Sequence, residues 1–155
     1  MQRRSDLRCS CDIAWQDRHG QAYNEEAFRY LLTIERKRSR RSGRPFVLVL
    51  VHIAPELGRR GRLDAAVAAH VLSRLLRCLR QTDVIGWYRG QRVAAALLTD
   101  LGDGCRTDIS RLVHRRVTDA LGRRLPAHVA RRLEVRVYPQ FLNRRADAAP
   151  TSREV

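Results

Sequence analysis

The chain has 155 residues, a length typical of one domain that buries a core without disulfides or metals. Its formal net charge is +15, and Lys37 is the only lysine among 31 basic residues. This charge attracts anions, but it does not distinguish a nucleotide from a nucleic acid, an acidic protein or a lipid surface. No apolar stretch approaches the ~20 residues of a membrane-spanning helix, so we expect no membrane span. Because Met1 is not followed by an apolar segment, we also expect no signal peptide and a cytoplasmic location.

The first predicted element is a helix from Asn24 to Arg41. Asn24 is a favourable N-cap, and the residues that follow it, Glu25 and Glu26, place acidic groups in the first helical turn. The apolar run from Phe46 to Ile53 comes after a Gly/Pro break. Its short length and β-branched content predict a central strand that is buried on both faces.

The rest of the chain predicts two more helices and three more strands. In chain order they are a helix over 63–80, strands over 84–88 and 92–98, a helix over 107–121 and a strand over 133–138. Arg89-Gly90-Gln91 joins the first two of these strands as a tight hairpin, and Trp87 and Tyr88 before it are interpreted as packing residues. The order α-β-α-β-β-α-β predicts a layered α/β sandwich with one antiparallel hairpin.

Segments spread over residues 17–140 match one family in a common register. Asp17 and Tyr23-Asn24-Glu25-Glu26-Ala27-Phe28 are similar to an opening Asp followed by Tyr-Asn-Arg-Arg-x-Phe. Arg80-Gln81-Thr82-Asp83 is similar to an Arg-x-x-Asp run, and Arg89-Gly90-Gln91-Arg92-Val93 stands where that family has Gly-Gly-Asp-Glu-Phe. The chain therefore resembles the GGDEF family of diguanylate cyclases.

The resemblance implies a fold of the nucleotidyl-cyclase palm type. This is an α/β sandwich whose central mixed sheet contains the antiparallel hairpin and is flanked by helices. The implied domain covers residues 17–142, with 1–16 as a flexible N-terminus and 143–155 as a disordered tail. The family's final helix has no counterpart after the last predicted strand, so we expect a fold that is truncated at its C-terminus.

The catalytic positions of the family are degenerate in this chain. Cyclases of the family use carboxylates to hold divalent metals against GTP. Here His52 and Ala54 stand at the two strand-end aspartates, and the turn carries Arg89, Gln91 and Arg92 in place of a glycine and two acids. Because an arginine repels a divalent cation, we expect no metal, no cofactor and no cyclase activity.

The motif that the chain retains is the family's product-binding motif. In the family, Arg-x-x-Asp five residues before the turn binds cyclic di-GMP, and Arg80 and Asp83 stand at that position. A guanidinium can fork onto guanine or phosphate, and an aspartate can accept from guanine N–H groups. A second guanidinium could come from Arg111 or Arg115 on the third helix, or from Arg77. The alternative is an ordinary i,i+3 ion pair at a helix end.

Three functions stay open at this stage. The first is a receptor that binds cyclic di-GMP and signals through a partner protein. The second is a scaffold that binds a partner protein or a second copy of itself without nucleotide. The third, a nucleic-acid binder, is the least favoured, because basic residues are spread along the chain without a recognised reading motif. The basic run from Arg36 to Arg41 is interpreted as a solvated helix end, and the alternative is a patch that binds nucleic acid or an anionic membrane.

Cysteines and histidines predict no metal site. The four cysteines are Cys9, Cys11, Cys78 and Cys105. Cys9 and Cys11 lack a second pair at zinc-ligand spacing, so we interpret all four as reduced thiols and leave the role of that pair open. His52 and His70 also lack partners at ligand spacing and are interpreted as packed or surface histidines.

Overall fold

A computed structural model of the protein describes residues 12–54, 64–102 and 106–140. Its strands are β1 (Ile13–Asp17), β2 (Gly20–Tyr23), β3 (Phe46–Ile53), β4 (Val84–Arg89), β5 (Val93–Leu98) and β6 (Leu133–Gln140). Its helices are α1 (Glu25–Ser42), α2 (Ala65–Cys78), α3 (Arg106–Gly122) and the one-turn α4 (Ala127–Ala130). The strands form one six-stranded sheet in the order β1-β2-β4-β5-β3-β6. Helices flank this sheet, as the predicted α/β sandwich requires.

The apolar run predicted as a central strand is β3, with the predicted bounds. It pairs antiparallel with β5 on one side and with β6 on the other. Successive residues of a strand point to opposite faces, and Val49 and Leu50 show this alternation. Val49 packs in a cluster with Leu72 of α2, whereas Leu50 packs on the other face in a cluster with Phe28 of α1. Burying each such side chain contributes about 1.5–3 kcal/mol, so β3 stabilises both layers.

Both ends of α1 follow the sequence signals. The side chain of Asn24 accepts a hydrogen bond from the Ala27 backbone N–H at 2.9 Å, which confirms the predicted N-cap. Gly43 closes the helix in the left-handed region, with φ of 70°, and its N–H donates to the Ser39 carbonyl. The chain then enters β3 within three residues, so that α1 packs across one face of the sheet.

An N-terminal hairpin extends the sheet beyond the predicted domain. Residues 1–16 were expected to be flexible, but Ile13 to Asp17 forms β1 and pairs antiparallel with β2. That part of the prediction is wrong for residues 13–16. The Asp17 carboxylate accepts from the His19 backbone N–H at 2.8 Å, and Gly20 follows with φ of 146°, so the turn is built from local polar chemistry. The predicted tail 143–155, and any element after β6, lie outside the described residues.

The sheet is mixed because β2 runs parallel to β4. The two strands meet where Tyr23 lies opposite Gly86. A Cβ at position 86 would lie 2.7 Å from the Tyr23 carbonyl oxygen, so this contact requires glycine. The hairpin of β1 and β2 therefore joins the sheet at a point where only the backbone of β4 fits.

The turn between β4 and β5 is strained at one residue. The Arg92 backbone N–H donates to the Arg89 carbonyl at 3.1 Å, which closes a four-residue turn around Gly90 and Gln91. Gln91 has φ of 58°, in the left-handed region that favours glycine. The Glu25 carboxylate accepts from the Gly90 backbone N–H at 2.7 Å, so the first turn of α1 holds this strained turn in place.

Arg29 completes the attachment of α1 to the turn. Its Nε donates to the Tyr88 carbonyl at 2.9 Å, and its guanidinium lies 5.0 Å from the centre of the Tyr88 ring. The same guanidinium pairs with Glu25 at 3.1 Å. Glu25 and Arg29, one helical turn apart, therefore bind the backbone on both sides of Arg89.

Replacing Gln91 by glycine should stabilise the protein. A non-glycine residue in the left-handed region costs about 1–2 kcal/mol, and the larger entropy that glycine gives the unfolded chain offsets part of the gain. We expect Gln91→Gly to raise the free energy of unfolding by about 0.5–1 kcal/mol in urea denaturation. Gln91→Ala is the control, because alanine removes the side chain without relieving the strain. A glycine variant no more stable than the alanine variant would show that position 91 is not strained.

Candidate functional site

A small cavity lies where α2 leads into β4, beside the end of β5 and against α3. Its volume is about 170 Å³. Six apolar side chains form most of its wall: Leu79, Leu98, Leu101, Ile109, Leu112 and Val113. Four polar residues complete the lining: Arg80, Asp83, Thr99 and Arg116. An apolar cavity with a few converging polar groups is the usual form of a small-molecule site.

The chain between α2 and β4 brings Arg80 and Asp83 together through the backbone. The Asp83 N–H donates to the Arg80 carbonyl at 3.0 Å, and the Arg80 N–H donates to the Asp83 carboxylate at 2.9 Å. The Arg80 guanidinium instead donates to the Asp100 carbonyl at 3.2 Å. The alternative of a direct side-chain ion pair between Arg80 and Asp83 is therefore not what the structure shows.

Burial raises the pKa of the Asp83 carboxyl above its ordinary value of 3.8. The hydrogen bonds from the Arg80 and Thr99 backbone N–H groups and the positive charges of Arg80 and Arg116 lower this pKa without cancelling the effect of burial. A carboxylate oxygen can accept two hydrogen bonds, so Asp83 keeps acceptor capacity inside the cavity. A ligand that donates N–H groups there would replace the water that burial removes.

The second guanidinium at the cavity is that of Arg116, which the sequence pattern did not single out. Arg116 continues the helical spacing of Ile109, Leu112 and Val113, which all face the cavity. Arg111 and Arg115, the predicted contributors from α3, are exposed and absent from the cavity lining. The i, i+3, i+4, i+7 pattern that starts at Ile109 was the signal that could have identified Arg116.

Arg77, the other predicted contributor, is also absent from the cavity lining. It is exposed near the C-terminal end of α2, three residues before Arg80. The helix ends between them, since the last helical residue is Cys78. Helical spacing therefore does not carry from Arg77 to Arg80.

The positions of the family's metal ligands lie at the opposite end of the sheet. Arg89 of β4 pairs with Val93 of β5, Val93 pairs with His52 of β3, and His52 pairs with Glu134 of β6. Burial lowers the pKa of His52, and the nearby charges of Arg136 and Arg89 lower it further. The His52 Nε2 atom is buried and has no hydrogen-bond partner among the described residues.

These residues do not fit a divalent metal. The one carboxylate in the row, Glu134, is bound by Arg136 at 2.9 Å. In the turn, Gln91 and Arg92 are exposed and supply no carboxylate. Among residues 12–54, 64–102 and 106–140, no group of three or more His, Cys, Asp or Glu side chains is placed to hold a metal ion. Ala54 has no side-chain donor, and its backbone N–H donates to the Arg132 carbonyl.

Other residues singled out in the sequence have packing roles. Trp87 is buried in the core, as expected, and Tyr88 is partly buried beneath Arg29. His70 of α2 lies beside the backbone of Leu121 and Arg123 at the end of α3, and burial lowers its pKa. Cys78 is a free thiol whose pKa is raised by burial, whereas the other three cysteines lie outside the described residues. No helix in the described part of the chain is long and apolar enough to cross a membrane.

No protein-family model matches the sequence, and no curated protein matches it significantly. Solved structures do match the fold. The GGDEF domain of FimX from Pseudomonas aeruginosa aligns with a TM-score of 0.58 at 14% identity, over 82% of this chain and 80% of that one. The GGDEF domain of DgcB from Caulobacter crescentus, in complex with c-di-GMP, aligns with a TM-score of 0.53 at 14% identity, over 81% and 76%.

A third structure includes a protein partner. The diguanylate cyclase SiaD from Pseudomonas aeruginosa, in complex with its activator SiaC, aligns with a TM-score of 0.56 at 17% identity. The alignment covers 88% of this chain and 54% of SiaD, so the chain spans about half the length of that structure. All three alignments cover more than four fifths of this chain. The chain therefore has the GGDEF-domain fold.

Proposed function

We propose that this domain is a non-catalytic receptor for cyclic di-GMP that signals to a partner protein. The observation that carries the proposal is the convergence of Arg80, Asp83 and Arg116 on one apolar-walled cavity. The backbone hydrogen bonds between residues 80 and 83 hold the Asp83 carboxylate there without using the Arg80 guanidinium. Both side chains therefore keep groups with which to bind a ligand.

The chemistry of the cavity suits a guanine base. The Asp83 carboxylate can accept from the ring N–H and the amino group of guanine, whereas adenine presents no such pair of donors on one edge. A guanidinium can fork onto guanine O6 and N7 or onto a phosphate. The apolar wall provides a surface for one flat ring, and the guanidiniums of Arg80 and Arg116 lie at the same cavity as counter-charges for the phosphates.

A second concavity gives the rest of a dinucleotide room to extend. Its volume is about 610 Å³, and its lining includes Thr99 and Leu101, which also line the Asp83 cavity. Arg38 and Arg44 lie on its far side, and both are exposed. The two concavities therefore meet along the loop after β5, with basic side chains on either side of that loop.

The absence of cyclase activity is part of the proposal. Its support is the chemistry at the other end of the sheet, where His52, Ala54, Gln91 and Arg92 stand in place of carboxylates that would hold a metal. A two-metal phosphoryl transfer needs anionic ligands to fix both ions against the triphosphate. None of these four side chains is anionic, and the neighbouring Glu134 is neutralised by Arg136.

Two structural neighbours support the two halves of the proposal. The DgcB domain was solved in complex with c-di-GMP, and SiaD was solved in complex with an activator protein. A fold of this kind can thus present a nucleotide site and a protein-docking surface. The remaining alternative is a scaffold, either a homodimer or a partner complex, that uses no nucleotide. Titration with the ligand distinguishes the two.

Cyclic di-GMP should bind the wild-type domain with micromolar affinity in calorimetric titration at ~150 mM salt, where weak surface attraction is screened. We expect Arg80→Ala, Asp83→Asn and Arg116→Ala each to weaken binding at least tenfold, since each removes a charged hydrogen-bond partner. Arg115→Ala is the matched control, because it removes the same charge from the same helix away from the cavity. GTP tests selectivity. Absence of binding would refute the receptor and leave the scaffold.

The pH dependence of stability offers an independent check on Asp83. Burial raises the pKa of Asp83 in the folded protein. Below the ordinary value of 3.8, the carboxyl is protonated in both the folded and the unfolded state, so its titration does not lower the stability of the fold. As pH rises from there through the folded-state pKa, the unfolded chain loses its proton first, and the folded state becomes relatively less stable. Asparagine at this position has no such proton and can still accept from the Arg80 N–H.

We therefore expect the stability of the wild type to fall relative to Asp83→Asn as pH rises from about 3 to 6. Thermal melting of the two proteins in parallel measures the difference and cancels the titration of the other carboxyl groups. A difference that stays constant, or that changes in the opposite direction, would mean that Asp83 is not desolvated in the cavity.

A further inference from the structure

The outward side of α1 carries a row of cations next to an exposed aromatic ring. The residues buried on this helix are Phe28, Leu32, Glu35 and Ser39, which define the side that faces the sheet. Tyr30, Lys37, Arg40 and Arg41 project from the opposite side and form what we name the α1 basic face. Tyr30 is 66% exposed, more than any other large hydrophobic side chain among the described residues.

The cations of the α1 basic face have no acidic partner within the described part of the chain. Glu35, the nearest carboxylate in sequence, is buried and bound by Arg38 at 3.1 Å. Glu25 is engaged with the β4–β5 turn, and Glu26 lies about 16 Å from Lys37 along the helix axis. The positive charge of this face is therefore presented to solvent without local neutralisation.

Like charges at this spacing oppose helix formation. Lys37 and Arg41 are four residues apart, and Lys37 and Arg40 are three apart, so each pair repels by a few tenths of a kcal/mol. The position of these residues near the C-terminal end of α1 offsets part of that cost through the helix dipole. A bound polyanion would remove the repulsion and would be attracted by the net charge of +15.

We propose that the α1 basic face binds a single-stranded nucleic acid, with phosphates on Lys37, Arg40 and Arg41 and a base stacked on Tyr30. Cations four residues apart lie about 6 Å apart along the axis, and Tyr30 lies about 10 Å from Lys37. An aromatic ring beside a basic track is the arrangement that holds unpaired bases and their backbone together. Lys37, Arg40 and Arg41 also line a shallow concavity of about 910 Å³, together with Ile34, Arg38 and Ser42 of the same helix.

A single strand fits this surface better than a membrane does. Membrane-surface helices need a free apolar side to enter the lipid, and the apolar side of α1 is buried against the sheet through Phe28 and Leu32. A single strand exposes the faces of its bases, whereas a duplex keeps them stacked inside. Tyr30 can therefore contribute only if bases are accessible. Tyr30, Lys37, Arg40 and Arg41 do not line the Asp83 cavity, so this proposal is independent of the receptor proposal.

The test is fluorescence anisotropy of a labelled oligo-uridine with the full chain over a range of salt concentrations. The variant Lys37→Ala/Arg40→Ala/Arg41→Ala removes three charges from the face. The control Arg111→Ala/Arg115→Ala/Arg123→Ala removes three exposed charges elsewhere. For a single strand, each phosphate contact contributes about −0.7 to the slope of log K against log salt. The slope of the first variant should therefore be shallower than that of the wild type by about 2, and the slope of the control should change little.

Tyr30→Ala provides the discriminating readout. Loss of one base stack should lower affinity about fivefold or more at an unchanged salt slope, and Tyr30→Phe should restore it. Melting curves confirm that these surface variants fold. Equal losses in the two triple variants, no effect of Tyr30→Ala, or displacement of the RNA by an equal charge of polyglutamate would each overturn the proposal. So would binding to phosphatidylglycerol vesicles without binding to the oligonucleotide.

Discussion

The antiparallel pairing of β3 with β5 and β6 determines where the important side chains of this protein lie. Because β5 also pairs with β4, the register places Val84 opposite Leu97 at one end of the sheet and Arg89 opposite Val93 at the other. The Asp83 cavity and the β4–β5 turn are thus separated by the length of β4, about 20 Å for six residues. The proposed ligand site and the turn that lacks acidic residues therefore lie at opposite ends of the sheet.

The turn end shows a reversal of charge between the helix and the hairpin. The family that the chain resembles has two arginines where this chain has Glu25 and Glu26, and acidic residues where this chain has Gln91 and Arg92. In the structure, the Glu25 carboxylate occupies the Gly90 N–H, a backbone donor of the kind that binds anions. The turn is therefore satisfied by the protein's own side chain, which supports a structural role for it in the proposed receptor.

The sequence predicted the elements whose signals are local and strong. β3 has the predicted bounds because seven of its eight residues, all but His52, are apolar. α1 has the predicted cap because the Asn24 side chain can bond to its own helix. The β1–β2 hairpin was missed because it is short and alternates weakly, and its stability comes from pairing with β4. Arg116 was missed because a contributor from α3 was chosen by family position, whereas the face of the helix decides which arginine reaches the cavity.

The measurement that tests the central claim most directly is amide chemical-shift mapping of the ¹⁵N-labelled domain during titration with cyclic di-GMP. The receptor proposal predicts the largest shifts at Arg80, Asp83 and Thr99, which line the cavity, with saturation at one site. It predicts small shifts at Gly90 and Val93, at the other end of β4. Shifts concentrated at the turn end, or no saturable shifts at all, would contradict the receptor proposal.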